Sequence, residues 1–168
     1  MKGGFLEMKK ESVSIGGDLV SEIISKYADM VYRLAYVMVR NNSDAEDIFQ
    51  EVFIKLFQTR TPFKDKEHIK AWLIKTTTNH CKNLFKGYWY KNRISIDQVV
   101  IPVEEPEKKE IIQSVLGLPT KYREVIYLYY YMGFSTDELA TILNTKSSTI
   151  RTRLKRGREI LKINLENG

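Results

Sequence analysis

Residues 133–162 have the sequence GFSTDELATILNTKSSTIRTRLKRGREILK, and its pattern predicts two short helices joined by a tight turn. Ser135 and Glu138 have the spacing of a capping box, in which each side chain bonds the other residue's backbone amide. The first helix is therefore expected to begin there. Asn144 is one of the few residue types that tolerate a positive φ, which predicts the turn, and Ser147 opens the second helix.

The predicted second helix separates apolar from basic side chains. Its apolar positions recur at helical spacing: Ile150, Leu154, Gly157 and Leu161. Most of its other positions are basic, and Glu159 is the one acidic residue among them. The basic residues are Arg151, Arg153, Lys155, Arg156, Arg158 and Lys162. A helix-turn-helix with a basic second helix is the geometry that places a recognition helix in the DNA major groove. The alternative is an ordinary solvated face, but Gly157 inside a helix favours close approach of another helix.

Composition narrows the possible classes of protein. The 168 residues carry a formal net charge of +6, which suits a nucleic-acid partner or a membrane surface. The single cysteine, Cys81, excludes an internal disulfide and, with no signal-peptide pattern in residues 1–11, predicts a cytoplasmic protein. No apolar run approaches the roughly 20 residues of a membrane span, so no membrane insertion is expected.

The chain before residue 59 predicts a leader followed by two helices. Residues 1–17 lack periodicity and are expected to form a mobile leader, with Met8 as an alternative start to Met1. Asp18 can cap a long amphipathic helix that ends near Asn41. Ser43 and Glu46 predict a second capping box and the start of the next helix.

This second helix has an acidic outer face. Asp47, Gln50 and Glu51 lie together there, opposite a buried stripe. Compensation of the helix dipole explains Asp44 and Glu46 well but Gln50 and Glu51 poorly. The face could repel DNA, bind a metal or dock a basic surface of another protein.

A loop around Pro62 and a third amphipathic helix follow. The polar side of that helix offers Lys70, Lys75, Asn79, Lys82, Asn83 and Lys86. It continues into residues 88–93, where aromatic and basic residues alternate; this suits single-stranded DNA, although aromatic residues at helical spacing also pack in cores. His68 and His80 lack partners at ligand spacing, so no metal site is predicted.

The pattern changes at residues 92–109, which contain Pro102, Pro106 and an acidic cluster. This stretch predicts a flexible linker between two domains, residues 18–91 and residues 110–168. The second domain is expected to contain four helices, including the helix-turn-helix. The predicted fold class is all-α.

Three segments together resemble the extracytoplasmic-function class of bacterial sigma factors. They are DAEDIFQEVFIKLF at residues 44–57, AWLIKTTTNHCKN at residues 71–83, and the stretch from LPTKYREV to RLKRGREIL at residues 118–161. In order and spacing they look like the family's polymerase-binding helix, its minus-ten helix and its minus-thirty-five module. The last segment alone would also fit a response-regulator output domain.

The resemblance implies a protein without catalytic chemistry or cofactor that joins core RNA polymerase and directs it to promoter DNA. It also implies control by an anti-sigma factor that clamps the two domains. The implied polymerase-binding residues are Asp47, Gln50, Glu51 and Phe53.

The implied contacts with DNA fall in both domains. Those with the minus-ten element are Thr61, Phe63, Lys64, Asn79, Asn83, Lys86 and Trp89. Those with the minus-thirty-five element are Ser147, Thr149, Arg151, Thr152, Arg153, Lys155 and Arg156, with Ser147 and Thr149 suited to phosphate. Two other functions stay open: a DNA-binding repressor that never touches polymerase, and a metal-dependent nuclease using Glu46, Asp47 and Glu51.

Overall fold

A computed structural model describes residues 17–60, 62–88 and 106–167. The predicted leader before Gly17, Thr61, Trp89 and the predicted linker up to residue 105 lie outside this part. Every regular element in the described residues is a helix, which confirms the all-α fold built from two helical units.

The N-terminal unit consists of three long helices: α1 (Gly17–Val39), α2 (Asn42–Gln58) and α3 (Lys66–Tyr88). Its core is apolar, with fully buried side chains from all three helices, among them Leu34, Met38, Val52, Leu56 and Leu73. Each helix hides one stripe at a spacing of three and four residues, as the sequence pattern predicts.

The start of α2 differs from the predicted capping box. Arg40 has a φ of 58°, so the chain reverses directly after α1. Asn41 then becomes the N-cap, and its side-chain oxygen accepts a hydrogen bond from the Asp44 amide over 2.9 Å. The prediction of Ser43 as the cap is wrong because Asn41 reaches the free amides of the first turn earlier in the chain.

The C-terminal unit contains α4 (Pro106–Leu116), α5 (Thr120–Ile126), α6 (Thr136–Ile142) and α7 (Ser147–Glu166). The backbone of α5 continues directly into a turn of π-helix, Tyr127–Tyr131. Helix α4 begins at Pro106, inside the stretch predicted as linker. The core of this unit is formed by residues such as Val125, Leu139, Ile150 and Leu154, so α7 packs across α5 and α6.

The predicted helix-turn-helix is present in α6 and α7. Ser135 and Glu138 form the reciprocal capping box, and the hydrogen bond from the Ser135 amide holds the pKa of Glu138 below its usual value. Asn144 has a φ of 49°, as the turn requires. Gly157 lies against Ile126 of α5, which confirms the predicted close approach of another helix.

Arg123 joins the two units. This residue of α5 is only 4% exposed, and its guanidinium donates hydrogen bonds to the carbonyl oxygens of Leu116 and Leu118, both over 2.8 Å. It also donates to the Met38 oxygen in the last turn of α1 over 2.7 Å. Carbonyls at a helix end have no partner within the helix, so the cation stabilises them by hydrogen bonding and by the helix dipole. Burial lowers the pKa of Arg123 to about 10, which leaves it charged near neutral pH.

An ion pair with one buried partner lies beside Arg123. Glu124 is 1% exposed, and its Oε1 lies 3.0 Å from Lys82 Nζ of α3. The Lys82 side chain is 39% exposed, so water screens the pair, but its loss would leave the Glu124 carboxylate buried without this cation. Lys70 of α3 makes a third contact between the units, with its ammonium 4.9 Å from the centre of the Phe134 ring.

No helix among the described residues combines the length and the apolar character needed to cross a lipid bilayer.

We predict that Gly157→Ala destabilises the protein. A Cβ at this position would lie 2.8 Å from Ile126 Cγ1 and 3.1 Å from Ile126 Cδ1, in a fully packed core. Overpacking of this kind costs about 1–3 kcal/mol, which exceeds the gain of about 1 kcal/mol in helix propensity. The free energy of unfolding in urea should therefore fall. Gly87→Ala is the matched control, because nothing lies within 4 Å of its added Cβ, and a stabilising Gly157→Ala would contradict the prediction.

We also predict that alkaline pH weakens the fold through Cys81. Burial, with Glu124 as the second cause, raises the pKa of this thiol from 9.0 to about 12. The native state therefore keeps a proton that the unfolded chain releases, so this stability is present below pH 9 and is lost as the pH rises toward 12. Between pH 8 and pH 10 the loss should be about 1 kcal/mol.

Urea unfolding of the wild type and of Cys81→Ala at both pH values isolates this contribution. The two tyrosines whose pKa is also raised by burial, Tyr127 and Tyr131, contribute to both proteins and cancel in the comparison. The same pH dependence in both proteins would contradict the assignment to Cys81.

Candidate protein and nucleic-acid interfaces

The acidic face of α2 is exposed and continues into apolar residues. Asp47, Gln50 and Glu51 are exposed, as predicted for this helix face. Ile54 and Phe57 follow at helical spacing, with 55% and 64% of their surface exposed. We call these five residues the α2 surface. Large apolar side chains exposed beside charged ones are typical of a protein interface.

Phe53 does not belong to the α2 surface. It is only 7% exposed, and its ring packs 4.9 Å from that of Phe49. Because it follows Val52 directly, Phe53 lies at the edge of the buried stripe of α2 and not on the exposed side. Sequence reasoning missed Ile54 and Phe57, although their spacing of four and seven residues from Gln50 was a usable signal.

His80 has a structural partner on the α2 surface. Its Nδ1 lies 2.8 Å from Glu51 Oε2, so the imidazole ties α3 to α2. The described residues contain no group of three His, Cys, Asp or Glu side chains placed to hold a metal ion. Glu46, Asp47 and Glu51 therefore do not form the cluster that the nuclease hypothesis needs.

The polar face of α3 presents three of the predicted minus-ten residues together. Asn79, Asn83 and Lys86 are exposed and lie four and three residues apart, on one side of the helix. We call these three residues the α3 surface. Lys82 lies between them in sequence but is held by Glu124 of the C-terminal unit.

The loop before α3 is folded against that helix. Phe63 is half-buried, and its ring makes edge-to-face contacts with Trp72 at 5.8 Å and with His68 at 5.4 Å between centroids. The Lys64 amide donates to His68 Nδ1 over 3.2 Å, while its side chain is exposed. The structure therefore places Phe63 in packing contacts rather than free in solvent. Thr61 and Trp89, the other predicted minus-ten residues, lie outside the described residues.

The outer face of α7 carries most of the predicted minus-thirty-five residues. Arg151, Thr152, Lys155 and Arg156 are exposed. Thr149 and Arg153 are half-buried, and Arg153 lies at the border of the packed face, between Ile150 and Gly157. We call the four exposed residues the α7 surface.

Arg156 and Ser147 are among the side chains of this region that have partners within the unit. Arg156 Nη1 lies 3.0 Å from Glu159 Oε2, one turn along the same helix. Ser147 is half-buried and donates its hydroxyl to Asp137 of α6 over 2.6 Å. Sequence reasoning assigned no role to Asp137, because its partner is ten residues away across the turn.

The three surfaces differ in charge and in position. The α2 and α3 surfaces belong to the N-terminal unit, and the α7 surface belongs to the C-terminal unit. The α2 surface is acidic and apolar, which disfavours contact with phosphates. The α7 surface is basic, which favours it. One chain thus offers a surface suited to a protein and surfaces suited to nucleic acid.

Comparisons with known proteins agree in both halves of the chain. The sigma-70 region 2 family matches residues 23–90, and the sigma-70 region 4 family matches residues 108–161. The extracytoplasmic-function (ECF) RNA polymerase sigma factor SigW of Bacillus subtilis is 31% identical, over 89% of this chain and 90% of that protein. The ECF sigma factor SigE of Mycolicibacterium smegmatis is also 31% identical, over 84% of this chain and 59% of that longer protein.

A solved structure has a similar fold. It contains the sigma factor RpoE in complex with the anti-sigma factor NepR from Bartonella quintana. The match has a TM-score of 0.76 at 20% identity and covers 87% of this chain and 96% of that one.

Proposed function

The chain belongs to the extracytoplasmic-function group of sigma-70 family sigma factors, and we propose how its two units divide promoter recognition between them. A sigma factor binds core RNA polymerase and directs promoter-specific initiation of transcription. We assign residues 18–91 to polymerase docking and the minus-ten element, and residues 110–168 to the minus-thirty-five element. The protein acts by binding, as a regulatory subunit in the cytoplasm where polymerase works, and we assign it no cofactor.

The α2 surface is the proposed docking site for polymerase. This observation carries the proposal: an acidic, partly apolar face on a chain of net charge +6 is poorly suited to DNA. Ile54 and Phe57 supply exposed apolar area, while Asp47 and Glu51 can pair with bases of the partner. Apolar anchors surrounded by polar groups are the usual composition of a protein interface.

The α3 surface is the proposed contact for the minus-ten element. Amide side chains such as Asn79 and Asn83 can both donate to and accept from base edges, and Lys86 can neutralise a phosphate. In the α7 surface the guanidinium groups of Arg151 and Arg156 suit bidentate contacts with guanine in the major groove.

Contact between the two units opposes simultaneous recognition of both elements. The minus-ten and minus-thirty-five elements are about 25 base pairs apart, or roughly 85 Å of B-DNA. A compact chain of this length is only about 40 Å across. Lys82 and Lys70, on the same helix as the α3 surface, are also occupied by Glu124 and Phe134 of the C-terminal unit. The units must therefore separate on the promoter.

This arrangement supports control by an anti-sigma factor that holds the units together. RpoE, whose fold this chain resembles, was solved with its anti-sigma factor bound, which is consistent with such control. A partner that binds both units at once would keep the Arg123 and Glu124 contacts intact and prevent the separation that promoter binding requires.

Reconstitution with core polymerase tests the proposed function. Sequencing the DNA retained with the complex supplies a template, and run-off transcription from it should depend on the protein. Asp47→Ala and Ile54→Ser should each weaken core binding about tenfold, because truncation of interface anchors typically costs more than about 1 kcal/mol. Glu22→Ala, which removes an exposed acid of α1, is the matched control and should bind normally. If the wild type yields no promoter-dependent transcript, the proposed function is wrong.

Capture from cells tests the proposed regulation. The tagged Asp47→Ala variant should retain an inhibitory partner while binding less polymerase. Fewer proteins that bind through polymerase are then captured with it. The captured protein should then suppress run-off transcription by the wild type in proportion to its concentration. If no captured protein inhibits transcription, control by an anti-sigma factor is wrong, although the sigma activity itself would stand.

A further inference from the structure

Two hydrogen bonds that share one hydroxyl group connect the first helix of the helix-turn-helix to the recognition helix. The Ser147 hydroxyl donates to Asp137 Oδ1 over 2.6 Å, and Arg151 Nη1 donates to the same hydroxyl oxygen over 2.8 Å. Asp137 lies in the first turn of α6, whereas Ser147 and Arg151 share the first turns of α7. The carboxylate therefore acts on the guanidinium through the intervening hydroxyl.

The direction of these bonds determines what Ser147 can do. A serine hydroxyl has one hydrogen to donate, and here Asp137 accepts it. A phosphate oxygen also needs a donor, so Ser147 has none left for DNA while the connection is intact. Its lone pairs are instead available to Arg151, and the charged acceptor on the other side strengthens that bond.

The connection also orients Arg151. A free arginine on a helix surface samples many rotamers, and each must be restricted before two N–H groups can meet one base. The bond to Ser147 uses one of the five guanidinium N–H groups and directs the side chain toward the start of α7. The remaining donors can still form a bidentate contact with guanine O6 and N7. The nearby Asp137 carboxylate repels a phosphate that would compete for the same guanidinium.

We propose that Asp137 is a positioning residue that determines specificity in the minus-thirty-five contact. Through Ser147 it orients the Arg151 guanidinium toward the edge of a base. It also disfavours contact between that guanidinium and a DNA phosphate. The inference rests on the proposed function, since it requires α7 to read duplex DNA. It changes the role of Ser147 from phosphate contact to an intermediate between two side chains.

The test measures discrimination by reconstituted holoenzyme on the promoter obtained by sequencing the retained DNA. Binding is compared between the matched promoter and templates with single base-pair changes across the minus-thirty-five element. Arg151→Ala should lower the matched-to-mismatched ratio about tenfold at one or two adjacent positions, the size expected for a lost bidentate contact. Asp137→Ala and Ser147→Ala should lower the ratio at the same positions, because the first removes one of the two hydrogen bonds and the second removes both. Mismatched templates should bind Asp137→Ala as tightly as they bind wild type, or more tightly.

Three controls separate positioning from a general effect. Glu110→Gln removes one negative charge from an exposed position of α4 in the same unit and should leave the ratio unchanged. Ser147→Thr keeps the hydroxyl and should restore discrimination. The double variant Asp137→Ala, Arg151→Ala should be no worse than Arg151→Ala alone, because Asp137 acts on discrimination only through Arg151.

Each other outcome overturns the inference. If Asp137→Ala keeps full discrimination while Arg151→Ala loses it, Asp137 does not position the arginine, and the proposed function stands. If Asp137→Ala weakens binding equally on all templates, its role is structural. If wild-type holoenzyme does not discriminate between these templates, recognition by α7 and the inference built on it are both wrong.

Discussion

The buried guanidinium of Arg123 connects parts of the chain that are far apart in sequence, and the relative placement of the two units depends on it. It donates to carbonyl oxygens at the ends of α1 and α4 and in the loop before α5, so one side chain meets three chain segments. A buried cation needs hydrogen-bond partners, and both terminal nitrogens of Arg123 have them while Nε has none among the described residues. This requirement makes the arrangement specific in a way that apolar contacts alone are not. The Glu124 and Lys82 pair adds a second requirement of the same kind. Separation of the units exposes these charges to water, which compensates for the lost partners, so polar contacts permit an interface that can open.

The exposed faces of the two units differ in charge. The N-terminal unit presents acidic and apolar side chains on α2 and neutral amides on α3, while the C-terminal unit presents arginine and lysine on α7. Each surface is built on a helix whose opposite face is packed in a core, so the side chains that meet a partner are held in register. The contact between half-buried His80 and exposed Glu51 extends this support to the α2 surface.

Much of the fold could be predicted because it depends on short-range rules. The capping box at Ser135, the positive φ of Asn144 and the tight packing at Gly157 each follow from a residue type and its neighbours within one or two turns. The prediction of Ser43 as the N-cap was wrong for an equally local reason. Arg40 has a left-handed backbone conformation, which places Asn41 at the start of α2 as its N-cap. Among the candidate site residues, exposure on α2, α3 and α7 was predictable from helical spacing. The packing of Phe63 was not, because it depends on how closely the rings of Trp72 and His68 approach.

By itself, the sequence determined the helices, their apolar stripes, the helix-turn-helix and the charge of each outer face, since periodicity and capping act between residues close in the chain. It also carried the family resemblance. Only the tertiary structure decided which buried charges find partners. Arg123 meets Met38 across 85 residues, Lys82 meets Glu124 in the other unit, and the Ser147 hydroxyl meets Asp137 of the preceding helix. Such pairs have no periodic signature, because the desolvation of a charge selects whichever partner the packed chain brings within hydrogen-bond distance.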